Sequence, residues 1–259
     1  MSTSVSAIRL FAIGLLALLG STGAGAGGSE AGKPGGEQRA AEAVDLNGSA
    51  ARSSGGASEP GEPCAERLVA RVQQQYDGIT DLQADFRQLS RSVALGGGGA
   101  AEEASRGRVI LAKPGRMRWD YREPEPSLVV SDGETLWIYD PDAGEVQVLP
   151  MSGDSLSGAG LQFLFGEGRL SDSFDVRAQD CEAPRPKLAL TPKQDALFEK
   201  IFLDVDPQSG IVWGTQIQDL FGNRTELTLE NIETDRSPPE SSFRFEPPAG
   251  TRVQRLDAP

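Results

Sequence analysis

The chain has 259 residues, with 38 acidic and 25 basic side chains, a net charge of −13 and no histidine. A field of that sign repels phosphate backbones, so nucleic acid is a poor partner. Without histidine the commonest general base, proton shuttle and metal ligand are missing, and neither an enzyme nor a metal or cofactor is expected.

Arg9 precedes an apolar run, Leu10 to Leu19, which leads to the small residues Ala24-Gly25-Ala26. This order predicts a secretory signal peptide over residues 1–26, cleaved in the periplasm of a Gram-negative-type cell. The apolar run falls well short of the ~20 residues that span a bilayer, so a soluble mature protein is expected. The position where a lipid-anchored protein would carry a cysteine reads Gly20-Ser21-Thr22-Gly23, which argues against an anchor. Residues 27–62 are Gly, Ala, Ser, Glu and Pro with Val44 and Leu46 as the larger aliphatics; such a segment cannot offset its ordering entropy and is predicted to be a disordered tether.

Residues 63–259 are predicted to form one domain. Leu68, Val72 and Tyr76 recur four apart and predict a helix that stops at Asp77-Gly78. The period then becomes twofold. Leu82, Ala84 and Phe86 alternate with polar residues, and so do Met117, Trp119 and Tyr121. Turn signals separate Leu128 to Val130, Leu136 to Tyr139 and Val146 to Leu149. More strands are predicted around 187–190, 201–205, 211–217 and 225–232. The fold class is therefore mainly β, one antiparallel sheet that is strongly curved or partly closed. Between two groups of strands, Leu161, Leu164 and Phe165 at helical spacing predict a short apolar helix, either a plug of ordinary core or a movable lid.

Cys64 and Cys181 travel to a compartment where disulfides persist, so they are expected either to bridge the domain or to serve as two separate small apolar residues. Gly153-Asp154-Ser155-Leu156 matches the tetrapeptide of a family of serine esterases but has no histidine to activate it. Asp140-Pro141-Asp142 and Asp204-Val205-Asp206 are expected to be turns rather than calcium ligands.

Five blocks in order carry a resemblance to a known family. They are Leu82 to Gln88, Lys113 to Trp119, Val130-Ser131-Asp132-Gly133-Glu134-Thr135-Leu136-Trp137-Ile138-Tyr139-Asp140-Pro141, Leu190 to Lys193, and Phe243 to Thr251. From about Cys64 to Val253 the chain resembles the LolA family of periplasmic carriers of outer-membrane lipoproteins. The resemblance implies an unclosed, eleven-stranded antiparallel half-barrel covered by an N-terminal helix and a short lid helix. It implies a monomer that takes lipoprotein acyl chains from an inner-membrane exporter complex to an outer-membrane receptor. Val72, Tyr76, Phe86, Met117, Trp119, Leu128, Val130, Trp137, Leu161, Leu164 and Phe165 are the residues expected to bind those chains. The family often has Arg before the Pro of the second block as a lid latch; this chain has Lys113 there, and either Lys113 or Arg116 is expected to be the latch. A carrier of another amphiphile such as a glycolipid, or a lipoprotein-sensing module, would use the same half-barrel.

Overall fold

The computed structural model describes residues 62–93, 101–151, 168–181, 183–196 and 198–256. The expected signal peptide and nearly all of the tether, the Gly153-Asp154-Ser155-Leu156 turn, and Leu161, Leu164 and Phe165 lie outside them. The elements in chain order are helix α1 (Glu62–Gly78), β1 (Asp81–Ser92), β2 (Ala101–Ala112), β3 (Arg116–Glu123), β4 (Ser127–Asp132), β5 (Thr135–Asp140) and β6 (Glu145–Pro150). Then come a short helix α2 (Leu170–Ser173), β7 (Phe174–Gln179), β8 (Lys187–Pro192), β9 (Phe198–Val205), β10 (Val212–Asp219), β11 (Arg224–Thr234), a 3-10 helix (Glu240–Phe243) and β12 (Arg252–Arg255).

All strands join one open, curved sheet in the order β12-β6-β5-β4-β3-β2-β1-β11-β10-β9-β8-β7. β1 sits centrally because β11 returns to pair along its other edge. The first six strands fan to one side and β7 to β11 to the other, leaving β7 and β12 as the ends. The sheet departs from the eleven-stranded, wholly antiparallel expectation in one respect. β12 adds a twelfth strand, parallel to β6, with Arg252 opposite Glu145.

Cross-strand pairs share a face, so the register sorts the side chains. Ala84, Val109, Trp119, Val129 and Ile138 form one row across β1 to β5. Leu82, Leu111, Met117, Ser131 and Leu136 form the next row on the same, inner face. The alternate row, Ile110, Arg118, Val130, Trp137 and Val148, looks the other way. Gly107 makes the inner row possible. A Cβ there would lie 2.8 Å from the Phe86 ring and 1.9 Å from the Asp120 carbonyl oxygen, so only glycine lets the Phe86 ring lie against β2 and β3.

α1 lies on the inner face. Leu68, Val72 and Tyr76 make the stripe that the sequence spacing predicts, at 6%, 0% and 2% exposure, and Ile79 extends it. The stripe joins one continuous core with the inner rows and with Phe174, Leu188, Leu190, Phe198 and Ile201 of β7 to β9. The turn between β9 and β10 presses on the helix backbone. A Cβ on Gly210 would meet the Arg71 carbonyl oxygen at 2.4 Å, and φ there is +81°, so the contact needs glycine on two counts.

The expected turns use their carboxylates locally. Asp140 Oδ1 accepts the Ala143 amide at 2.9 Å, and Asp206 Oδ1 accepts the Gln208 and Ser209 amides at 3.0 and 2.7 Å. Asp204 pairs instead with Lys187 at 3.0 Å.

Candidate functional site: the helix-covered inner face

The inner face is an aromatic and aliphatic wall with a cover. Phe86 meets Trp119 and Tyr121 edge-on, with ring centroids 5.1 and 4.9 Å away. Across the sheet, Phe174 and Phe198 stand 6.2 Å apart beside α1. Towards the β10–β11 turn the wall becomes polar. Gln88 and Ser90 are buried there, Gln88 accepting the Tyr121 hydroxyl at 3.2 Å and Ser90 lying 3.5 Å from the Thr225 hydroxyl.

α1 is pinned at several points. Cys64 in its first turn is bonded to Cys181, which follows β7, with Cα atoms 6.2 Å apart. The Tyr76 phenol oxygen accepts from the Val212 backbone; burial pushes its pKa up to about 12, against the opposing pull of that bond. Burial likewise raises the Tyr121 phenol. Gln73 donates to the Gly168 carbonyl at 3.3 Å and accepts the Leu170 amide at 3.4 Å, tying α1 to α2.

The helix has no basic residue in its last turn, and Lys113 supplies the missing charge from the turn between β2 and β3. Its Nζ donates to the Tyr76 carbonyl oxygen, where the helix dipole favours a cation. Lys193 repeats the device at α2, donating from Nζ to Ser171 O at 2.6 Å. Arg116 does not face α1. It donates from Nη2 to Lys113 O at 2.7 Å, and its guanidinium lies 5.2 Å from the centroid of the Phe243 ring, behind the sheet. Of the two candidate latch residues, Lys113 is thus the one that touches the helix.

The expected apolar set divides between the faces. Val72, Tyr76, Phe86, Met117 and Trp119 meet in the inner core. Leu128, Val130 and Trp137 do not join them. Leu128 pairs with Asp120 and Val130 with Arg118, so all three look outward, towards the layer that holds Phe243, and the Tyr139 ring lies tilted against Phe245 there, centroids 5.3 Å apart. Sequence reasoning missed Phe174, Leu188, Leu190 and Phe198 as the other wall. The alternation of Phe174 and Val176 with Asp175 and Arg177 is the signal that could have revealed it.

Under the last turn of α1, between Tyr76, Ile79, Leu82, Leu111 and Lys113, the remaining void is about 10 Å³, room for a single water. The helix's own side chains therefore fill that part of the face. Among the described residues the site offers apolar surface under a helix cover.

The family profile described as outer membrane lipoprotein carrier protein LolA matches residues 77–246. An outer-membrane lipoprotein carrier protein of Chromobacterium violaceum is 32% identical over 192 residues, covering 74% of this chain and 89% of its own. One from Alkalilimnicola ehrlichii is 34% identical, covering 73% and 85%. A solved LolA superfamily protein from Nitrosomonas europaea superposes with a TM-score of 0.39 at 13% identity, over 70% of this chain and 97% of that one. The chain belongs to the LolA family of outer-membrane lipoprotein carriers.

Proposed function

We propose that the chain ferries lipoproteins across the periplasm, sheltering their acyl chains against the inner face of the sheet. The observation that carries this is the pairing of an apolar wall of Phe86, Met117 and Trp119 with a helix whose apolar stripe covers it and which is held at its end by a polar contact. At ~0.8 kcal/mol per sheltered methylene, a few acyl chains can replace the contacts that α1 and any further cover give up. Loading is then an exchange of one apolar partner for another, and no bond in the cargo is made or broken. The binding wall is Val72, Tyr76, Phe86, Met117 and Trp119, with Leu161, Leu164 and Phe165 as further cover and Lys113 as the latch. An inner-membrane exporter supplies the cargo and an outer-membrane receptor removes it, the carrier acting as a monomer after its signal peptide is cleaved.

Displacement of a fluorescent fatty acid tests the reading. A triacylated lipopeptide should displace the probe, and the same peptide without acyl chains should not. Mass spectrometry of material co-purified from the periplasm should recover lipoproteins. Recovery of glycolipid alone would favour the non-protein amphiphile, and no displacement by any acylated compound would remove the carrier reading.

A further inference from the structure

The sheet contains a second opening, beside the β9–β10 turn that presses on α1. β10 and β11 pair only from Gly214 opposite Thr228 to Gln218 opposite Arg224. Beyond Gly214, β10 continues against β9 to Val212, and β11 continues against β1 to Thr234. The seam between the two strands therefore opens at this end. It leaves a cavity of about 430 Å³ with Ile211 and Trp213 on one side, Ile232 and Thr234 on the other and fully buried Val205 among its lining. That volume is within the range of small-ligand sites.

Arg185, from the connection between β7 and β8, closes the rim. Its guanidinium lies 4.7 Å over the Trp213 ring, and among the described residues it has no carboxylate partner. A guanidinium stacked on an indole keeps its in-plane N–H donors free, a geometry that suits an oxyanion. Asp206 also lies on the rim, but its Oδ1 takes the Gln208 and Ser209 amides and the Ser209 hydroxyl, at 3.0, 2.7 and 2.9 Å. Its carboxylate belongs to the turn and leaves Arg185 as the group that meets a ligand.

We propose that the opened seam binds an amphiphile with an oxyanion head, phosphate or carboxylate, the head on Arg185 and the alkyl part against Ile211, Trp213 and Ile232. Arg185, Ile211, Trp213 and Ile232 are not among the acyl-chain wall residues Val72, Tyr76, Phe86, Met117 and Trp119, so this site goes beyond the acyl-chain reading and is tested apart from it. Ile211, Trp213 and Ile232 are each half-buried, so a ligand there covers apolar surface that solvent now reaches.

The three tryptophans give three indole N–H signals in an NMR spectrum of the secreted chain, and Trp213→Phe assigns the relevant one. Dodecyl phosphate and laurate, below their micelle concentrations, should shift the Trp213 signal and leave that of outward-facing Trp137 in place. Arg185→Gln, an exposed and structurally mild change, should weaken dodecyl phosphate at that site by about ten-fold or more. Neutral dodecyl maltoside should change by less than roughly two-fold, because it does not use the charge. Dodecyltrimethylammonium shifting Trp213 as strongly as dodecyl phosphate would overturn the proposal, as would inorganic phosphate alone binding as tightly, or wild-type affinity in Arg185→Gln. A response confined to Trp119 would also sink this site while supporting the acyl-chain wall.

Discussion

Strands β4 and β5 carry apolar residues on both faces, yet the two faces serve different layers. Met117, Trp119, Val129 and Leu136 join the core that runs under α1 to β7 and β9. Val130, Trp137 and Tyr139 face the C-terminal segment, where Phe243 is buried and Phe245 lies against Tyr139. The covers differ more than the walls. α1 is bonded covalently at one end and held at the other by a lysine on a backbone carbonyl. The C-terminal segment is fastened by arginines, Arg116 over Phe243 and Arg118 donating to Ser242 O at 3.3 Å, and by the Arg252 pair with buried Glu145. One cover is fastened by a covalent bond at one end and a single lysine at the other, and the other by three arginines along its length.

Truncating one ring on each side should separate binding from stability. Phe86 and Phe243 are both 1% exposed, and Phe86→Ala and Phe243→Ala should each cost about 3–5 kcal/mol in urea unfolding. Fatty-acid displacement should tell them apart, with binding weakened in Phe86→Ala and kept in Phe243→Ala under conditions where both remain folded. Trp119→Ala and Trp137→Ala should divide in the same way. Equal loss of binding on both faces would break the comparison.

The covalent anchor comes next in size. Cys64 and Cys181 are 117 residues apart, and replacing both with serine should lower stability by about 2–4 kcal/mol, chiefly by freeing the unfolded chain. Hydrogen exchange should rise most in the first turns of α1 and hardly at all under Phe243. If the outer layer loosens as much as α1, the two covers are not independent.

How far the sequence shows these layers depends on the strand. β3 alternates cleanly, Met117 and Trp119 against Arg116, Arg118 and Asp120, so its inner face is legible, and the four-residue spacing of Leu68, Val72 and Tyr76 is equally plain. β4 and β5 are continuous apolar runs, Leu128-Val129-Val130 and Leu136-Trp137-Ile138-Tyr139, and periodicity cannot say which way Trp137 looks. That requires the register, Trp137 opposite Val130 and Val130 opposite Arg118. Nor does anything local mark β12, whose parallel place on β6 is set by a pair between residues 107 apart in sequence, Arg252 and Glu145. The role of Lys113 was legible only through resemblance, because its partner is a backbone carbonyl with no signature of its own.

Alkaline pH probes the covered face selectively. Tyr76 has its pKa raised by burial from 10.0 to about 12, so the folded state keeps the phenol proton that the unfolded state gives up. The contribution is fully present below pH 10 and is lost as pH rises towards 12, because there the unfolded chain binds fewer protons. The loss over that window should approach about 2.5 kcal/mol, read from urea midpoints at stepped pH. Tyr76→Phe should flatten the profile in proportion, with the residual slope belonging to other groups such as Tyr121. An unchanged slope in Tyr76→Phe would mean that α1 is not the element that alkali releases.

The smallest stability effect should fall on Lys113, and it should carry the largest functional contrast. Lys113 is half-buried and makes one charge-assisted bond, to the Tyr76 carbonyl oxygen at the end of α1. Replacing it with leucine removes the donor and the favourable charge at the helix terminus, at about 1–2 kcal/mol, small beside loss of a core ring. The loss is local, since the core contacts of Tyr76 and the Cys64 bond remain. Hydrogen exchange at Ile79, whose amide bonds to Gln75 O at 3.2 Å, should accelerate while protection in β1 to β3 is unchanged. Acyl-chain affinity should hold, because Lys113 is not part of the apolar wall, but transfer to the outer-membrane receptor should change in rate. Lys113→Arg should restore most of the exchange protection if a directed donor is what the helix end requires. Transfer at the wild-type rate in Lys113→Leu, with Ile79 exchanging faster, would show that this end of the cover does not control release.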